Sequence, residues 1–275
     1  MPDPRLPPEL ERVIFIDAFR NNPEDLLSLF LVAKRVQHWL VPFAFEVVIV
    51  HANRIFPLGF QSVSHFKDYG VHIQHLLVCD QTWQDVTENL DKCLTYCPNI
   101  TNLGLWQDEP VVNIESILNL SKLTRLGVNV KYIVKELHPI GRVAMNSQML
   151  GIALRPALFP NVTHLDVVRD RLDIHSLGTL LYHFPNLTHM TIECTNAYIA
   201  PLLSLTISRM FKRLQTLIWW EKVRTRIGGP RPIRVDDDRV VSIVMDPVEG
   251  WEKSARGEQS GIWEVADEMI VKRRR

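Results

Sequence analysis

Ile100-Thr101-Asn102-Leu103-Gly104-Leu105 is a line of six residues with apolar side chains at its first, fourth and sixth places. The same form, apolar-x-x-Leu-x-apolar, stands before it at Ile73-Gln-His-Leu76-Leu-Val78 and after it at Leu123-Thr-Arg-Leu126-Gly-Val128. It continues through Val162-Thr-His-Leu165-Asp-Val167, Leu187-Thr-His-Met190-Thr-Ile192 and Leu214-Gln-Thr-Leu217-Ile-Trp219, and a weaker copy, Val240-Val-Ser-Ile243-Val-Met245, closes the series. The central residues step by 27, 23, 39, 25, 27 and 26. All but one step falls in the window of roughly 20–29 residues that one strand and one return segment fill in a stacking unit. A second signature keeps the frame: Cys97-Pro-Asn, Phe159-Pro-Asn and Phe184-Pro-Asn each stand at the same offset before their line.

Alternation with period two sends the fourth and sixth positions into a core and the third, fifth and seventh the other way. One strand per unit cannot bury its own apolar side, so the units stack into a parallel sheet with the return segments behind it. Val86, Leu90, Cys93, Leu94 and Cys97 form a helical stripe in one return segment, Ile174, Leu177, Leu181 and Phe184 in another, and Ile114, Ile117 and Leu118 a shorter one. The long step contains Pro139, Gly141, Gly151 and Pro156 and reads as an insertion or widened loop; Gly228–Pro232 and Asp236–Asp238 read as a second loop. Over residues 45–245 the chain resembles a degenerate leucine-rich repeat.

Composition narrows the function. Apolar residues make up 46% of the 275 and charged residues 23%, as in ordinary folded proteins. Lys plus Arg and Asp plus Glu are 31 each, which gives no global pull toward nucleic acid or an anionic membrane. The dense basic run, Lys272-Arg273-Arg274-Arg275, reads as a solvated tail. The opening MPDPRLPPELER lacks the apolar centre of a signal peptide, and no stretch has the ~18 apolar residues of a membrane span. The expectation is an intracellular protein, cytoplasmic or nuclear, with no nucleic-acid or membrane partner. Cys79, Cys93, Cys97 and Cys194 are too few and too scattered for a disulfide framework and read as buried thiols. Asn99-Ile-Thr101, Asn119-Leu-Ser121, Asn161-Val-Thr163 and Asn186-Leu-Thr188 match the glycosylation sequon, but the repeat frame generates these triplets by itself.

The first 44 residues lie outside the frame. Leu6-Pro7-Pro8 opens a helix whose apolar stripe is Leu10, Val13, Ile14 and Ala18. Asn22-Pro23-Glu24-Asp25 has the chemistry of a helix start, ahead of Leu26, Leu27, Phe30 and Leu31. A third piece through Val36, Trp39 and Leu40 is expected to end before Pro42. The segments LPPELERVIFIDAF (6–19), EDLLSLFLV (24–32) and AKRVQHWL (33–40) resemble an F-box, in the expected order, with Phe43-Ala-Phe45 in place of the family's last tryptophan. The resemblance is strongest to the short F-box-like domains that precede irregular leucine-rich repeats in many fungal proteins. It implies a Skp-type adaptor protein as partner, with Leu6, Pro7, Leu10, Ile14 and Phe15 at the matching adaptor-binding positions.

No Gly-x-Gly-x-x-Gly, phosphate-cradling Gly-Lys-Ser/Thr, Gly-x-Ser-x-Gly or His-Glu-x-x-His occurs. His164 and His189, with Asp166 and Glu193 near them, sit at equivalent places in adjacent units, but the same column carries Asn102, Arg125, Thr216 and Ser242. A variable column reads as a recognition surface, so no catalytic residue, metal or cofactor is expected. The expected target-binding residues are Trp106, Arg125, His164, His189, Glu193 and Trp220, outward on the concave side of a curved sheet. The expected fold is α/β: a short helical F-box-like module (1–44), an irregular leucine-rich-repeat solenoid with a parallel sheet (45–250), then a C-terminal helix and basic tail (251–275). The function this implies is a protein-interaction adaptor, the substrate receptor of a Skp–cullin–F-box ubiquitin ligase and not itself an enzyme. Two other readings are a repeat scaffold binder whose N-terminal helices only cap the first unit, and an enzyme on an unfamiliar α/β frame.

Overall fold

A computed structural model of the chain describes residues 6–51, 54–57, 62–79, 86, 88–107, 112–129, 157–168, 182–193, 204, 206–207, 209–221 and 237–275. The expected insertion between Leu126 and Leu165 falls mostly outside them, as do Cys194, the loop at 228–232 and most of the stripe Ile174–Phe184. The described residues form an α/β architecture. Three helices, α1 (Pro8–Asn21), α2 (Leu26–Val32) and α3 (Lys34–Ala44), lead into β1 (Val47–His51) and β2 (Arg54–Phe56). Between the next strands run α4 (Val63–Tyr69), α5 (Leu90–Thr95) and α6 (Ile114–Leu118). The strands are β3 (His75–Cys79), β4 (Asn102–Trp106), β5 (Arg125–Val128), β6 (His164–Val167), β7 (His189–Glu193), β8 (Thr216–Glu221) and β9 (Val240–Val244). Two helices, α7 (Pro247–Ala255) and α8 (Ile262–Arg274), end the chain.

The sheet is open, in the order β2-β1-β3-β4-β5-β6-β7-β8-β9, parallel throughout except for the antiparallel edge strand β2. Leu76, Leu103, Leu126, Leu165, Met190 and Leu217 stand opposite one another across successive strands, as the six-residue lines predict. Val48 adds a rung at the front that the sequence series lacks. Each of these residues is buried, in a core closed by Val86, Leu90, Cys93, Cys97 and Ile117 from the return segments. The Pro-Asn signature is a turn: Ile100, Val162 and Leu187 each donate a backbone N–H to the residue three before, Cys97, Phe159 and Phe184. Proline fits the second place of such a turn because its φ is already set there. The buried rings of Phe159 and Phe184 stack 4.8 Å apart.

Neighbouring units are also tied at their turns. The Gln74 carbonyl accepts from the N–H of Thr101 (2.8 Å) and of Asn102 (3.1 Å) and from the Thr101 hydroxyl (3.2 Å). Thr101, Thr124 and Thr163 carbonyls are claimed in the same threefold way by Thr124, Thr163 and Thr188 and their successors. Three of the four sequon asparagines join this ladder. Asn99, Asn161 and Asn186 donate their side-chain amides to the carbonyls of Val71, Ser121 and Pro160 in the preceding unit. Asn99 and Asn186 accept from Lys122 and Arg213 in the next. These three triplets therefore have a structural use.

Three expectations are corrected. In β9, Val240 stands opposite Leu217 and Ile243 opposite Trp220, so the last line lies three residues out of the expected frame. The strand Val240–Val244 is apolar at four of its five places, and period two alone does not choose its phase. Helix α3 runs through Pro42 to Ala44; the missing N–H costs one intrahelical bond near its end, and Phe45 still donates to Val41. Asn22 precedes a 3-10 turn, Pro23–Asp25, and makes no side-chain cap.

The face of the sheet away from the return segments is covered as well. Only Met245 and Asp246 separate α7 from β9, yet α7 packs against β1 at the far side of the parallel run. Seven strand spacings of ~4.8 Å would separate those strands by about 34 Å in a flat sheet, against about 13 Å for a nine-residue helix. The sheet is therefore curled, and α7 lies inside the curl.

Candidate functional site

Two regions carry the residues singled out in the sequence. The first is the outer side of α1 and α2. Leu6, Leu10, Val13 and Ile14 are each more than half exposed and follow a single helical stripe; Pro7 is exposed beside them. Phe15 turns the other way and packs with Phe19, Leu26, Val36, Leu40 and Ala44 against the repeat core. Of the five positions expected to bind an adaptor, four thus face outward and Phe15 packs inward. Leu27, Leu31 and Val32 extend the exposed apolar surface onto α2, Leu31 being 87% exposed. The sequence places all three in the apolar run of this helix without assigning them to a binding surface, although three exposed apolar residues in a seven-residue helix that buries only Leu26 are themselves a signal.

The second region is the inner face, where the sequence predicts an open recognition surface. The structure corrects this: Trp106 and Trp220 are 7% and 5% exposed and are covered by α7 and α8. At one end Trp251 and Ala255 of α7 pack with Val47, Ile49, Leu77, Cys79 and Trp106. At the other, Ile262, Trp263, Ala266 and Ile270 of α8 pack with Ile218, Trp220, Val241 and Ile243. These covering residues were missed because the sequence assigns the C-terminal helix to no face. The stripe Ile262, Trp263, Ala266, Ile270 has the period of a helix with one buried side and could have found them.

The covering pair is anchored by polar groups. Asp246 caps α7 by accepting from the Glu249 N–H at 3.0 Å, with Pro247 at the first turn. Thr216 donates to Asp267 of α8 at 2.7 Å, Ser254 to Glu264 at 2.7 Å, and Arg273 to the Val240 carbonyl at 2.6 Å. The expected C-terminal tail is thus the exposed last turn of a docked helix, whose cations suit the negative end of its dipole.

His164 and His189 do come together. Their rings stack with centroids 4.2 Å apart, and Trp263 meets both edge-on. Each Nδ1 lies 2.8 Å from the hydroxyl of the preceding threonine. Burial first, then His189 and Arg125, pushes His164 down to about 3. His189 is also lowered by burial, which Asp267 at 3.5 Å partly offsets. His75, in the same column, falls to about 4 by burial, then by Arg125 and Arg256. A neutral, stacked pair under a tryptophan is packing chemistry. Among the described residues no three His, Cys, Asp or Glu are placed to hold a metal ion. Arg125 and Glu193 are half-buried at the margins of the cover, and Glu193 stands opposite Trp220.

In the middle of this face the rungs are Gly104, Gly127, Asp166 and Thr191. A Cβ on Gly127 would lie 2.7 Å from Trp106 Nε1, and one on Gly104 3.4 Å from Trp251 Nε1. At Gly127 the missing side chain is the space in which the Trp106 indole sits; at Gly104 it is filled by Leu77, with the Trp251 indole in contact above. Thr191 donates to Asp166 Oδ1 at 2.8 Å. Burial nevertheless raises the Asp166 carboxyl to about 6, against the pull of that bond and of Arg125. A small cavity lies here between Trp106, Asp166, Thr191 and Trp220 of the sheet and Pro247 and Trp251 of α7.

No protein-family model matches the chain, and no curated protein matches its sequence. Among the described residues no helix is long and apolar enough to cross a membrane.

Proposed function

We propose that the chain is the substrate-receptor subunit of a Skp–cullin–F-box ubiquitin ligase, docking a Skp-type adaptor through the outer side of α1 and α2 and holding a target protein on a leucine-rich-repeat domain. The observation that carries this is the apolar stripe Leu6, Leu10, Val13 and Ile14, continued by Leu27, Leu31 and Val32, left exposed while the opposite sides of the same helices are buried. Exposed apolar surface of this extent on a folded domain marks a place where another protein belongs. The register of the strands and the turn ladder support the repeat reading. Catalysis belongs to other subunits, so this chain supplies binding only.

The cap reading has an observation of its own: Phe19, Leu26, Val36, Leu40 and Ala44 share one core with the first repeats. Capping uses the inner side of the helices and docking the outer side, so one module serves both. The test is co-purification of the full chain with a Skp-type adaptor. Leu10→Asp and Ile14→Asp should each weaken that complex by at least ~2 kcal/mol, as at a binding hot spot, and change stability by no more than about 0.5 kcal/mol. Failure of the unaltered chain to bind any Skp-type adaptor leaves the cap role alone.

A further inference from the structure

The two sides of the curled sheet are completed differently. Behind it, the rungs from Val48 to Leu217 are all aliphatic or methionine and meet apolar side chains of the described return segments. Inside it, α7 and α8 match the sheet well at the two ends, around Trp251 and around Trp263, and poorly between them. The central strip holds a buried carboxylate, Asp166, whose positive neighbour is Arg125 of the sheet itself and no residue of the helices. Nε1 of Trp106 and of Trp251, both at the cavity beside Asp166, are buried without a hydrogen-bond partner among the described residues. A buried polar group left unpaired is costly. The cavity beside Asp166 lies on the same strip. The helix pair therefore fits the inner face at its rims and leaves its polar centre unanswered.

We propose that the inner face is the target-receiving surface of this protein, and that α7–α8 is its resident, displaceable occupant, which an amphipathic target helix replaces. The shape and chemistry of the face define that helix. It carries a flat aromatic side chain for the seat over Gly104, where Trp251 now sits, and a lysine, arginine or amide donor that reaches Asp166 between the two apolar rims. Trp106, Arg125 and Trp220 then act as target contacts only after the cover has moved. The existence of a target rests on the receptor function proposed for the chain; the opening of the cover does not, and neither step involves the adaptor stripe on α1.

Native-state hydrogen exchange on the full chain tests the opening. Amides of Val248–Ala255 and Trp263–Ile270 should exchange at least ~10-fold faster than those of β3–β6, through an opening that leaves the strands protected. A labelled peptide of residues 246–275 is the probe for the vacated face. Full-length protein carrying Trp251→Ala and Trp263→Ala should bind it at least ~10-fold more tightly than the unaltered chain does. If the helices and strands exchange through one common opening, α7–α8 is a permanent second core and the proposal falls. It falls equally if the double variant keeps its strands protected and binds no peptide. Should the variant not fold, the exchange pattern of the unaltered chain decides alone. Adaptor binding is measured separately and does not depend on either outcome.

Discussion

The two ladders that run across the sheet were built under different constraints. On the helix side every rung from Val48 to Leu217 is aliphatic or methionine and fully buried. On the inner side the rungs read Ile49, Leu77, Gly104, Gly127, Asp166, Thr191, Ile218 and Val241, with no common chemistry. The helix-side ladder packs against return segments that recur with every unit, so each unit solves the same problem. The inner ladder packs against a single helix pair that crosses the units at different heights, so each rung meets a different neighbour. Periodicity in the sequence reports the first kind of burial and is silent about the second.

The largest effect separating the ladders should come from Leu165→Ala, in the middle of the helix-side core. It should cost roughly 2–5 kcal/mol by denaturant unfolding, through lost transfer energy plus a cavity. A cost below about 1 kcal/mol would mean that this core relaxes freely and that the two ladders differ less than their chemistry implies.

Acid should strike the inner side first. His164, His75 and His189 have folded pKa values below the free value of 6.5, two of them at about 3 and about 4. The folded state thus resists protonation: its histidine contribution is complete above pH 6.5 and is lost progressively as pH falls toward those lower values. At pH 5 the loss should be about 1–2 kcal/mol for His164 alone. Replacing His164 with Gln should flatten that part of the stability–pH curve; an unchanged slope would place the cause elsewhere.

Gly127→Ala should cost about 1–3 kcal/mol, because the new Cβ meets the indole of Trp106 at 2.7 Å and Asp166 Cβ at 3.3 Å. Thermal unfolding of the variant, with Trp fluorescence as the probe, reads both the loss and the displaced ring. A neutral result would show that Trp106 has room to move.

The smallest effect has the opposite sign. The Asp166 pKa is raised, so its contribution is favourable at low pH and is lost as pH rises through about 6. Asp166→Asn keeps an acceptor for Thr191 and removes the buried charge, so at pH 8 it should be neutral or stabilising by about 1 kcal/mol. Clear destabilisation at pH 8 would mean that Thr191 and Arg125 stabilise the charged carboxylate by more than its burial penalises it.

The parallel sheet, its register and the Pro-Asn turns were legible in the sequence because each is repeated and each follows from local chemistry. β9 was misread because Val240–Val244 offers two phases to a period-two pattern. The α1 stripe was legible as apolar, but its direction was not: only packing shows that Phe15 and Phe19 turn inward while Leu10 and Ile14 do not. The inner face was misjudged for a reason of distance. Trp106 is covered by a helix that begins at Pro247, and nothing near residue 106 announces it.

The threefold claim on each turn carbonyl has one more consequence. Thr163 reaches the Thr124 carbonyl as Thr124 reaches that of Thr101, although 39 residues separate the first pair and 23 the second. Strand spacing is thus set at the turn, by a carbonyl of the preceding unit, and not by how much chain was spent in returning. Such a scaffold counts units without measuring them. Insertions can accumulate behind the sheet, and unit lengths can drift apart over evolutionary time, while the spacing of the strands stays constant.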